Sequence, residues 1–169
     1  MSWIEENGVI LSFADSDDVE NQDQRLLQFN HGLTDEYVDQ QLERATRRVL
    51  NRLKGTNWWV TNWSKRNPGT EVRDASDVPP VDPQLIVARI SDFTDLCVYT
   101  ALAEYILPSV ADFGADDNAE RAKQSFYEQK AQEMFDEIVT AGDWYDWNTD
   151  GVVDNSESSI GKTNLKRIR

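Results

Sequence analysis

Residues 34 to 54 constrain the fold more than any other stretch, because they write a complete helix with both ends marked. Thr34 stands where an N-cap oxygen is wanted, Leu33 and Val38 are placed as a hydrophobic staple, and Gly55 follows the last helical position. Val38, Leu42, Ala45, Val49 and Leu53 recur at spacings of four and three, which makes one narrow apolar stripe that must face a core. Asp35, Glu36, Asp39 and Glu43 occupy the first half, and Arg44, Arg47, Arg48, Arg52 and Lys54 the second. The helix macrodipole favours that order and accounts for the basic cluster without a ligand. The alternative is that these arginines face acids of an adjacent copy in a ring.

Two more helical regions follow. Asp82-Pro83 is an N-cap with proline at the first helical position, launching residues 83 to 107. Ser91-Asp92-Phe93-Thr94 reads as a second cap, so a short helix over 83 to 90 hands over to one over 92 to 107. Phe93, Leu96, Cys97, Thr100, Ala101, Ala103 and Leu107 make the latter apolar or small on most sides, which predicts the central helix. Pro108 should end it, and residues 111 to 117 connect onward with Gly114 at the turn. The last helix is predicted over 117 to 140, with Ala119, Ala122, Phe126, Met134, Phe135 and Ile138 on one face and Gly142 at its end.

The expected fold is therefore all-α: a small helical bundle over 33–142 with extended N-terminal and C-terminal arms and an EF-hand-like acidic loop. Residues 1–32 read as an extension, in which Asp15 to Gln24 is too polar to hold structure alone and Val9 to Phe13 could pair as a strand. Residues 55–80 read as a long loop. Its Trp58, Trp59 and Trp63 serve either as a cover for the core or as an interface hot spot.

Residues 143–157 hold the one pattern that asks for a specific chemistry. Asp146, Asn148, Asp150 and Asp154 place side-chain oxygens at positions one, three, five and nine of a calcium loop, Gly151 sits at six, and Glu157 closes at twelve. Val152 would offer its carbonyl at seven, so the loop could present the six or seven oxygens that Ca2+ or another hard cation needs. The helix before it is written and the helix after it is not, which argues against a paired EF-hand domain. The competing reading is an acidic turn whose side chains cap their own backbone.

Composition narrows the function classes. The formal charge of -14 repels nucleic acid and anionic membrane. Cys97, the single cysteine, lies between apolar residues and reads as a small buried hydrophobe. His31, the single histidine, has no serine or cysteine partner, and no phosphate loop, nucleotide fingerprint or zinc ligand set is present, so an enzyme is not expected. No secretory signal and no membrane-spanning run is read, which predicts a soluble protein, intracellular when made. Residues 158–169 reverse the charge: Lys162, Lys166, Arg167 and Arg169 occur with no acid, leaving -18 on the rest.

A capped first helix, a proline-launched pair, a long last helix and a basic end resemble the head-tail connector adaptors of tailed viruses. The likeness covers about residues 34 to 140, most closely Val81-Asp82-Pro83-Gln84-Leu85-Ile86-Val87-Ala88-Arg89-Ile90 and residues 95 to 107. Trp144-Tyr145-Asp146-Trp147-Asn148-Thr149-Asp150-Gly151 is similar to an aspartate-rich segment of some adaptors. The resemblance implies a homo-oligomeric ring, usually twelve copies, beneath the portal protein at the neck of the virion, with the tail completion or stopper protein below. DNA would pass an acidic lumen without sticking. It also implies that residues 158–169 reach onto the portal, with Ile160, Leu165 and Ile168 as apolar anchors and the four cations pairing with acids. The tryptophan-rich segment and the N-terminal extension depart from the pattern. Arginine exceeding lysine, 11 to 6, suits a virus of a halophilic host, and a bacterial phage stays open. The alternative function is a calcium-binding regulatory or interaction protein using residues 146–157.

Overall fold

The computed structural model describes residues 3–29, 32–110, 119–154 and 157. The readings made for His31, for residues 111 to 118 and for residues 158–169, including Ile160, Lys162, Leu165, Lys166, Arg167, Ile168 and Arg169, lie outside the described residues. Among the described residues no helix is long and apolar enough to cross a membrane.

The frame is α3 (Asp35–Lys54), α5 (Ile90–Ala101) and α7 (Ala119–Ala141), with α5 packed against each of the other two. In α3 the Thr34 hydroxyl accepts from the Tyr37 amide at 3.2 Å, and Val38, Leu42, Ala45, Val49 and Leu53 are all fully buried, as their spacing requires. α5 is the central helix, burying Phe93, Leu96, Cys97, Val98 and Ala101. The Cys97 thiol lies 3.2 Å from the Thr46 hydroxyl, and burial pushes its pKa up to about 11, so it is a packing group.

Several boundaries differ from expectation. Residues 83–85 form only a 3-10 turn, because Ile86 leaves the helical path to bridge Tyr145. α5 begins two residues earlier than expected from its apparent cap at Ser91, with Arg89 in the left-handed region at φ 55. Pro108 does not end the helix. A π-helical stretch, Leu102–Ile106, widens the turn where the proline ring would press on the carbonyl four residues back, and α6 (Leu107–Val110) continues through it. In α7 the buried face is Tyr127, Ala131, Phe135 and Ile138; Phe135 and Ile138 were predicted, whereas Phe126 is 52% exposed and Ala122 also faces out, with Tyr127 taking the inward position.

The described residues are mostly helical, as expected, with a small two-stranded sheet added, and the N-terminal region is not a loose extension. β1 (Ile4–Glu6) and β2 (Val9–Ser12) form an antiparallel hairpin across Asn7-Gly8, both at positive φ. α1 (Ser16–Gln22) starts in a capping box between Asp15 and Asp18, and α2 (Gln24–Phe29) follows. The acids that appeared to forbid structure there are its caps. Phe13 is fully buried, its amide donates to the Thr46 hydroxyl at 3.1 Å, and its carbonyl accepts from the Thr94 hydroxyl at 2.8 Å. The hairpin is thus bolted to α3 and α5.

Residues 55–80 are a loop only from residue 67 onward. α4 (Asn57–Arg66) starts at Thr56, whose hydroxyl accepts from the Trp59 amide at 3.2 Å. Trp59 is 1% exposed and belongs to the core, and Trp58 and Trp63 are partly buried against it.

Candidate functional site

The acidic loop is set on this tryptophan cluster. α7 ends at Gly142, in the left-handed region at φ 63, with its amide donating to the Ile138 carbonyl at 3.1 Å. The helix does not run into the loop. Residues 142–145 intervene as an extended segment, and the Trp144 carbonyl accepts from the Val87 amide at 3.3 Å while the Asp146 amide donates to the Leu85 carbonyl at 2.8 Å. Arg89 clamps the same segment, donating to both Asp143 oxygens and, at 3.0 Å, to Asp92. Hydrogen bonding to Arg89 holds the Asp143 carboxyl below the usual aspartate range and, with Asp92, raises the guanidinium.

Within the loop, side-chain oxygens take the backbone amides of neighbouring residues in a ladder. Asp146 accepts from the amides of Asn148 at 3.1 Å, Thr149 at 2.7 Å and Gly151 at 2.7 Å. Asn148 accepts from the Asp150 amide and Asp150 from the Val152 amide, both at 2.9 Å. Asp154 accepts from the Glu157 amide at 3.1 Å. Glu157 turns back into the loop: one oxygen accepts from the amides of Trp147 at 2.7 Å and Asn148 at 3.0 Å, the other from Asp154 at 3.1 Å. The Asn148 amide therefore bonds both Asp146 and Glu157, so the first and last positions meet. Both carboxylates are buried, at 1% and 3% exposure. Gly151 has the φ of 87 that the sixth position calls for, and Val152 is exposed at the tip.

This arrangement brings Asp146 and Glu157 onto one shared amide and Asp154 against Glu157, while Asn148 and Asp150 each take the amide two residues on and Val152 stands at the exposed tip. The donor set, all oxygen from Asp146, Asn148, Asp150, Asp154, Glu157 and the Val152 carbonyl, is of the kind that hard cations take. Its carboxylates are turned onto loop amides, and among the described residues no three His, Cys, Asp or Glu side chains are gathered as a cation cage. Holding an ion at full coordination requires Glu157 to exchange amide contacts for the metal.

Sequence reasoning missed Trp147. It stacks on Trp59 with ring centroids 4.7 Å apart, meets Tyr145 edge-on at 4.7 Å, and carries the Arg66 guanidinium 4.6 Å above its face. Desolvation lowers the Arg66 pKa and nearby Glu157 raises it, so the last loop carboxylate and α4 share one electrostatic environment. Trp59, Trp63, Arg66, Pro80, Tyr145 and Trp147 are among the residues that line an open groove of about 780 Å³ beside the loop. The signal was the repetition of Trp-Trp in α4 and Trp-Tyr-Asp-Trp at the loop, two aromatic clusters that satisfy each other.

Compared with family models, with curated proteins and with solved structures, the chain matches none.

Proposed function

We propose that this protein is a structural connector: a ring-forming head-to-tail adaptor of a tailed virus that joins the portal protein to the tail completion protein, without catalytic activity. The observation that carries the reading is the anchoring of Glu157 next to a charge-reversed segment of sequence. Glu157 is locked by three backbone amides into a loop that is itself packed on α4, and the twelve residues after it carry four cations and no acid. A rigid acidic body joined to an oppositely charged strap suits docking onto another subunit, because an anchored start lowers the ordering cost of binding. The remaining charge of -18 suits a channel wall that DNA passes without adhering.

A hard cation fits this reading as a stiffener. Asp146, Asn148, Asp150, Val152 through its carbonyl, Asp154 and Glu157 would hold it, and the ion would neutralise carboxylates crowded at the point where the strap leaves.

Deleting residues 158–169 should leave a protein of unchanged helicity that no longer co-purifies with the portal ring. Full-strength assembly of the truncated protein refutes the strap. Calorimetry with calcium separates the connector from a free-standing regulator. The connector's loop should become more resistant to exchange with helicity unchanged, whereas a large change of shape without any affinity for portal favours the regulator.

A further inference from the structure

The two flanks of α3 carry opposite charge. At about 100° per residue, Asp35, Asp39 and Glu43 line one side of the buried stripe, and Arg44, Arg48 and Arg52 line the other. On the acidic flank the Asp39 carboxyl is raised by burial first and then by Asp15, Asp35 and Glu43, which places those four acids in one field. Asp18, on α1, is raised as well, again by burial first and then by neighbouring Asp15.

On the arginine flank a cleft of about 300 Å³ opens between α3, α5, the π-helical stretch and α7. Thr100 contributes to its wall at 1% exposure, and its hydroxyl has no hydrogen-bond partner in the structure. Arg52 is half-buried, stacks over Phe135 at 4.0 Å and donates to the neutral Gln132 amide at 2.7 Å. It makes no ion pair among the described residues, in contrast to Arg48, which pairs with Glu104 at 3.3 Å. Arg44 lies over Tyr105 at 4.6 Å and donates to Gln41. Each guanidinium has five donors and uses few of them. Glu104 and Glu128 are the acids on the cleft wall, matching Arg48 and Arg52 there, and Arg44 beside the cleft adds a further cation to the flank, which keeps several unused donors.

We infer that copies of this chain associate head to tail through α3, the arginine flank and Thr100 cleft of one copy receiving carboxylates of the acidic flank, Asp35 and Glu43, of the next. This rests on the ring-forming reading above and names its interface. Because the two surfaces are different and lie on opposite sides of one helix, the contact is heterologous. Such contacts propagate in one direction and close into a ring when the rotation permits. Complementary charge sets register and partner choice, and close charge pairs across interfaces are among those measured to contribute net affinity.

The test is charge reversal with cross-complementation, read by sedimentation velocity, with circular dichroism to confirm folding. Arg48→Glu in one variant and Asp35→Arg with Glu43→Arg in another should each weaken self-association at least about tenfold. Mixing the two should restore assembly, since each reversed flank then meets its reversed complement. If Arg48→Glu fails to fold because it faces Glu104, Arg44→Glu takes its place. A wild-type oligomer indifferent to both reversals, or variants that lose assembly and are not rescued by mixing, overturns the interface and leaves the connector reading standing. A wild-type chain that remains monomeric on the order of 10 μM, both alone and with portal, overturns the ring and the interface together.

Discussion

Gly142 offers the sharpest test of how the acidic loop is attached to the helices. Its φ of 63 is left-handed, and a Cβ there would come within 2.5 Å of the Trp58 indole nitrogen and 3.3 Å of its Cε2. Gly151 is also left-handed, at φ 87, but a Cβ there meets nothing within 4 Å. Alanine at either position pays the backbone term, about 1 kcal/mol. Only Gly142→Ala adds overpacking against an indole held between Trp144 at 4.7 Å and Trp147 at 5.9 Å, a further cost of about 1–3 kcal/mol. Urea denaturation should therefore place Gly142→Ala about 2–4 kcal/mol below wild type and Gly151→Ala about 1 kcal/mol below it, at unchanged m-value. A Trp58→Ala background should remove the excess in a double-mutant cycle. Equal losses at the two glycines, or an excess that survives Trp58→Ala, would refute the claim that Trp58 is packed against the end of α7.

Further expectations test the cap, the loop and the charges. Thr56→Ala removes the hydroxyl that accepts from the Trp59 amide, so thermal melting should show a loss of about 1 kcal/mol and a weaker near-ultraviolet tryptophan signal. Glu157→Ala should speed hydrogen exchange at the Trp147 and Asp154 amides by about tenfold or more while sparing Gly151, which Asp146 holds, and affect Asn148 less, since Asp146 also accepts from it. Uniform acceleration across the loop would contradict that division. The folded-state pKa of Asp143 is depressed by Arg89, so its contribution is present above the unfolded value of about 3.9 and lost as pH falls through the folded value. Wild type and Asp143→Asn should thus differ in urea midpoint at pH 6 and converge at strongly acid pH. Asp95 has the opposite sign: burial, then Asp92 and Asp18, raise it, so its ionisation opposes folding and Asp95→Asn should raise the midpoint at neutral pH with no effect below the unfolded value.

The helical frame was legible because its signals are local. Thr34 and Val38 to Leu53 act within one helix, and no distant contact is needed to read them. The N-terminal hairpin was missed for the opposite reason. Asn7-Gly8 is a two-residue turn signal, but the flanking strands are short, and what holds them is Phe13 bonding to Thr46 and Thr94, 33 and 81 residues away. Asp15 and Asp18 were read as solvating charge when they are the two halves of a capping box. In α4 the β-branched and aromatic residues lowered the apparent helix propensity, and the cap at Thr56 outweighed them once Trp59 had a core to enter.

The loop shows a different division. Its residue types and spacing placed Asp146 and Glu157 at the two ends of one turn, and the two share the Asn148 amide. What the pattern could not specify is the platform, since a calcium loop is defined by its own twelve positions and says nothing of Trp147 on Trp59 beneath Arg66. That platform changes the consequence of the loop. Arg66 faces the Trp147 ring and feels the Glu157 charge, so any event that draws Glu157 away from the Trp147 and Asn148 amides acts on the aromatic cluster that joins α4 to the end of α7. The position of the Glu157 side chain is therefore coupled to the packing of the body, and a charge change at that carboxylate reaches the aromatic cluster as well.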